Sequence, residues 1–281
     1  RDARMAGFWG CNHEATLTNR IEPNGEVPKY PDFELSGITG TSGSESNDPD
    51  TITFAGAGRS VGKLKIDMRT AESKGKWFRV KSTEKIEKHD ALLISDCVMT
   101  DIFFVTKANK LDHKRQLWHA NNKNTTKVLS KAYAAGSKLY RVQQTIFCIV
   151  KSAESPPQYS LRRLVDRGNQ ESANSKNCED DGDELVEGIE NMQILMGEDT
   201  DADSEGTGGD GTANRYLPPE TPTLNMNRVV SVRISLLAVS PNDNVTTEPA
   251  PYFFNGDWVT PDDRKLRKVF TTTITLRNKT G

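Results

Sequence analysis

Hydrophobic residues along this chain come in short runs that alternate with polar ones. The period is two, which marks strands with one buried and one wet face. "TITFAGA" (51–57), "KLKID" (63–67), "ALLISD" (91–96) and "DIFFV" (101–105) each predict a strand, and "LYRVQQTIFCIV" (139–150) predicts a longer one. The clearest alternation is "RVVSVRISLLAVS". There Val230, Val232, Ile234, Leu236 and Ala238 point one way, and Ser231, Arg233 and Ser235 the other. This is the pattern of an antiparallel sheet with one solvated face. "KVFTTTITLRN" repeats it, with Phe270, Thr272, Ile274 and Leu276 on one side. Its threonines favour strand through stiffness at χ1. "LVEGIENMQILMG" reads as a lead-in and a core strand, with Met192, Ile194 and Met196 on one face.

Helix signals are few. Residues 1–8 read as the last turns of a helix, and "VLSKAYAAGSK" (128–138) as one or two turns stopped by Gly136. The polar stretches 37–50, 168–183 and 199–214 read as surface loops, too hydrophilic to pack. No internal repeat is present.

Composition narrows the class. The chain has 281 residues, of which 35% are hydrophobic, so its core is thin for its length. That suits one elongated domain, or two closely joined lobes. With 37 basic and 39 acidic residues the charges nearly cancel. The chain therefore lacks the positive field of a nucleic-acid binder and a polybasic membrane anchor. No run approaches the roughly 18–20 apolar residues of a membrane span. The opening "RDARMAGFWGC" shows neither an initiator Met nor a signal segment, and suggests a piece of a longer chain.

Few residues are placed for catalysis. "GAGRSVGKL" (56–64) falls short of a phosphate loop, because Ala57 and Leu64 stand where Gly and Ser or Thr are required; it reads as a turn between strands. His13, His89, His113 and His119 lie in polar stretches without metal-ligand spacing and read as solvated. No Gly-x-Ser-x-Gly elbow occurs, and no cysteine has an evident base partner. Asp180–Asp181 and Asp262–Asp263 are adjacent pairs, which on a strand point to opposite faces and on a loop simply hydrate. Cys11, Cys97, Cys148 and Cys178 lack any CxxC spacing. Their even number fits two disulfides in an oxidising compartment, and buried thiols are the alternative.

One loop has the residue types of a cation site. Counting from Asp199, Asp201, Asp203 and Asp210 occupy positions 3, 5 and 12 of a calcium loop. Ser204 replaces the Gly at position 6, and Asp210 replaces the bidentate Glu. The loop is read two ways: a calcium site that fixes its shape, or four hydrated carboxylates.

Several segments together resemble one family, the PilW minor pilins of type IV pilus assembly. They are "RDARMAGFWGCN", "LLISDCVMTDIFFV" (92–105), "LSKAYAAGSKLYRV" (129–142), "ELVEGIENMQILMGEDTD", "VVSVRISLLAVS" and "DDRKLRKVFTTTITLRN". The resemblance implies an α+β pilin fold: residues 1–12 end a long N-terminal helix, and residues 13–281 form a β-rich head carrying the three loops. The membrane-inserted half of that helix is expected to precede this chain, making it a soluble ectodomain. The related type II secretion pseudopilins suggest the same architecture. The resemblance also implies a non-enzymatic subunit that helps prime the pilus with other minor pilins and a pilus-tip protein. It would be anchored in the inner membrane with a periplasmic head before assembly, and carried at or near the tip of the extracellular pilus afterwards. It contacts no nucleic acid. Cys11 and Cys97 fall in family-like segments and are paired on that ground, leaving Cys148 with Cys178; a buried free thiol at Cys148 is the alternative. A second function, from a different class, is a calcium-dependent adhesion or surface-binding module.

Overall fold

The computed structural model describes residues 8, 16–19, 37–44, 48–64, 77–81, 85–111, 114–120, 124–126, 128–153, 157–166 and 177–276. Eleven strands form one sheet: β1 (Thr16–Asn19), β2 (Ile38–Thr41), β3 (Thr51–Leu64), β4 (Trp77–Lys81), β5 (Ala91–Ser95), β6 (Met99–Phe104), β7 (Lys107–Leu111), β8 (Lys114–Trp118), β9 (Lys138–Lys151), β10 (Tyr159–Asp166) and β11 (Asp183–Glu187). The main path runs β1-β6-β5-β9-β3-β4-β8-β7. β2 pairs with β3, while β10 joins β9 and carries β11 on its far side. Only β1 with β6 is parallel; every other pair is antiparallel.

The second sheet contains β12 (Ile189–Glu198), β13 (Arg215–Leu217), β14 (Val229–Val239) and a later strand, in the order β13-β12-β14-β17. Between β14 and that last strand, a hairpin of β15 (Tyr252–Phe254) and β16 (Asp257–Val259) turns at Asn255-Gly256; β17 spans Arg267–Thr275.

Three apolar clusters follow from the alternation. One face of the large sheet buries Leu92, Ile94, Phe103, Phe78, Val80, Leu117 and Leu139. Residues of the opposite parity, Ala91, Leu93, Ile102, Phe104 and Val142, line the other face, against which Phe8 and Leu17 pack. The third cluster lies between the sheets, where Ile38, Ile52 and Phe54 meet Met192, Ile194, Met196 and Val232. β12 thus lies over β3, β9 and β10.

The expected α+β class is overturned. Among the described residues helix is limited to α1 (Cys178–Asp181) and a 3-10 turn at Met226–Arg228, so these residues are nearly all β and none forms a long helix laid on a sheet. The expected helix over residues 1–12 lies outside the described residues, apart from Phe8, which is not helical and whose carbonyl accepts the Ala57 amide at 2.5 Å. The helical turn expected at 128–138 is also absent. Its apolar spacing serves a looped segment instead: Leu129 and Tyr133 are buried, and Ser130 and Tyr133 both bond Asp101. "GAGRSVGKL" is no turn but the second half of β3, bulged between Ala57 and Gly62. Loop 37–50 contains β2, with Ile38 fully buried.

Candidate functional site

The acidic loop begins where β12 ends. Glu198 is fully buried there and pairs with Arg215, its register partner on β13, at 2.8 Å. The next residue, Asp199, is only 1% exposed. Its amide donates to the Arg228 carbonyl, which fixes it at the start of the loop. Its carboxylate accepts the Asp201 amide at 3.0 Å and the Gly211 amide at 2.8 Å, so the two ends of the loop close on one side chain. Gly209 must be glycine for this to happen: a Cβ there would lie 2.2 Å from an Asp199 oxygen.

The structure brings Asp199, Asp201 and Asp210 together, with one ligand atom from each within 4.8 Å of the others. Asp201 and Asp210 are exposed. Asp201 also accepts from the Asn214 side-chain amide, and Asp210 from the Thr212 amide. Each carboxylate retains lone pairs after these bonds. The donor set is all oxygen, as a hard cation such as calcium requires, and the remaining ligands of the usual six to eight would be carbonyls or water.

Asp203 does not join them. One of its oxygens accepts the amides of Glu205 and Thr207, and the other accepts the Thr207 hydroxyl at 2.5 Å. These bonds, the Thr207 hydroxyl foremost, hold its carboxyl below the usual Asp range. Its carbonyl accepts from Arg228 Nε. Asp203 therefore builds a turn. The expected set of four reduces to three, because position 5 is spent on local structure.

The cysteines tie strands together. Cys148 on β9 bonds Cys178 at the start of α1, with Cα atoms 6.2 Å apart. Cys97 is also in a disulfide, and the expected pairing with Cys11 falls on a residue outside the described set. His119 departs from the solvated reading. It is 1% exposed and packs against the rings of both Phe78 and Phe103. His89 is half-buried, and His13 and His113 lie outside the described residues.

One arrangement has no counterpart in the sequence reading. Arg267, at the start of β17, donates to Glu190 at 2.7 Å and to Asp263 at 2.6 Å, with its guanidinium over the Tyr252 ring. Hydrogen bonding from Arg267 is the chief reason the Asp263 carboxyl sits below its usual range. The only available signal was the i, i+4 spacing of Asp263 and Arg267. This triad pins the 240–266 excursion onto the small sheet. Asp50 makes a comparable link between the sheets: it accepts the Ile194 amide at 2.7 Å, and burial pushes its carboxyl up. These charged groups are thus engaged in structural contacts. No helix of the described residues is long and apolar enough to cross a membrane.

Residues 146–278 match the family model PilW, Type IV Pilus-assembly protein W. The match starts within β9 and takes in the disulfide, the whole small sheet, the acidic loop and the Arg267 clamp. No curated protein and no solved structure matches the chain.

Proposed function

We propose that this chain, whose residues 146–278 match the PilW family of type IV pilus assembly, acts in that assembly as a structural minor pilin. The observation that carries the reading is the family match, which covers the entire small sheet. The geometry supports it in a second way. The small sheet has a polar outer face, and its buried charges Glu198 and Arg267 are paired and not left facing a cleft. Such a body suits lateral contact with other subunits better than chemistry on a bound molecule.

In this reading the subunit joins other minor pilins and a tip protein in a complex that primes the fibre. An N-terminal apolar helix anchors it in the inner membrane with the head in the periplasm, and it ends at or near the tip of the extracellular pilus. Templating the first subunits lowers the cost of taking their helices out of the bilayer. Deleting the gene should abolish or sharply reduce surface pili, and the full-length gene should restore them. Normal piliation in the deletion strain would remove the priming role.

A second reading rests on the convergence of Asp199, Asp201 and Asp210. A calcium ion held there would fix the loop and could serve surface binding. Titration of the chain with calcium chloride in a calorimeter should then give saturable heat that disappears in Asp201→Ala. Absence of heat in the wild-type chain would leave the loop as hydrated carboxylates.

A further inference from the structure

The two sheets expose unlike edges. Among the described residues β11 has a single sheet neighbour, β10, and all five of its residues are exposed. Leu185 and Val186 are 45% and 46% exposed, an unusual setting for adjacent branched apolar residues in a strand. Around them the chain is wholly acidic: Glu179, Asp180, Asp181, Asp183, Glu184 and Glu187, with no basic residue between 178 and 187. β17 likewise pairs, among the described residues, only with β14. Its Phe270 is 52% exposed, and so is Leu266 just before the strand. Here the flanking residues are basic: Arg264, Lys265, Arg267 and Lys268. Arg267 is neutralised by Glu190 and Asp263, but Lys268 forms no ion pair with a described residue and lies over the Phe270 ring.

Open edges with exposed apolar side chains are templates for strand addition, and proteins usually blunt them. The β7 edge shows the usual defence, a short strand with Lys107 and Lys110. On β11 and β17 the charges do not merely repel. Each edge has an exposed apolar centre, and the charges around it are opposite in sign to the other's. We propose that β11 of one copy docks against β17 of a second copy, with Leu185 and Val186 covering Phe270 and the acidic flank of one edge facing the basic flank of the other. Opposite charges at such a contact set the register and exclude pairing of an edge with its own kind.

Charge reversal tests this on the full chain by sedimentation velocity across a concentration series at low and high salt. The wild-type chain should self-associate reversibly, less so at high salt. Glu184→Lys with Glu187→Lys makes β11 itself net positive, like the β17 flank, and Arg264→Glu with Lys268→Glu makes the β17 flank net negative, like β11. Each double variant alone should associate about tenfold or more weakly. An equimolar mixture of the two should regain association, since every contact is then between opposite signs. Phe270→Ser should weaken association without regard to salt. Circular dichroism of each variant checks that the exposed substitutions leave the fold intact. A wild-type chain that stays monomeric up to its solubility limit overturns the proposal. So does association that survives both reversals, or a mixture that stays monomeric.

Discussion

The two sheets solve the same problem by different means. The eleven-stranded sheet buries side chains on both faces, and Leu92, Leu93, Ile94, Ile102 and Phe103 are all fully inaccessible. The four-stranded sheet buries one face, and the other only in part, at Ser231 and Leu237. Its other face carries Gln193, Arg233, Ser235, Thr271 and Thr273, with the Arg233 guanidinium 3.8 Å from the Tyr216 ring centre. The large sheet is held by apolar area removed from water. The small one adds charged pins, the Arg267 clamp and the Asp50 link, while the Cys148–Cys178 bond ties α1 to β9 of the large sheet just before the chain crosses over. The pinned, half-wet region is the one that matches the pilus-assembly family.

Substitutions should separate these two modes. The largest effect is expected in the large sheet. Phe103→Ala removes a ring packed edge-on against Phe78 and His119, and should cost about 3–5 kcal/mol in a denaturant melt. Slightly less is expected from opening the disulfide with Cys148→Ser and Cys178→Ser. The bond spans a sequence separation of 30, which chain entropy converts to about 3–4 kcal/mol. A cost near zero would mean that packing against β9 and β10 holds α1 in place without the bond.

Arg267→Ala should cost about 2 kcal/mol, below the range for fully buried pairs, because Glu190 and Asp263 are partly exposed. This term depends on pH. The folded Asp263 carboxyl is depressed, so its contribution is complete above the ordinary Asp range and is lost as the pH falls through the lower folded value. Melts of wild type and Arg267→Ala should therefore converge on acidification. The smallest effect is expected at Thr273→Ala on the wet face, within about 0.5 kcal/mol. A large loss there would mean the outer face is not free.

Strands with strict alternation were legible from sequence. Ile194 and Val232 fall in the inter-sheet core that their parity assigned, and Ile274 packs against it. Phe270 shares that parity yet is half exposed, because β17 is an edge and parity does not reveal where a sheet stops. Tertiary context decided the other departures. Ile38 is a lone apolar residue in a polar stretch, and only its partner Phe54 makes it a strand residue. Leu129 and Tyr133 have helical spacing, but Asp101 competes for the backbone and side chains between them. His119 has polar neighbours in the chain and aromatic ones in space. In the acidic loop, spacing alone proposed four equivalent carboxylates. It could not tell that Thr207 claims Asp203 while Asp199 is drawn under the loop by Gly211.

Gly188 stands between β11, in one sheet, and β12, in the other, with φ at +75°. Its amide donates to Tyr159 and its carbonyl accepts from Val239, so a single length of backbone is woven into both layers. Tension drawn along this protein cannot peel the layers apart one at a time. Sliding one layer over the other must strip the ladder to β10 or the ladder to β14, and the link from Cys178 to Cys148 stops the strand from being pulled out from behind.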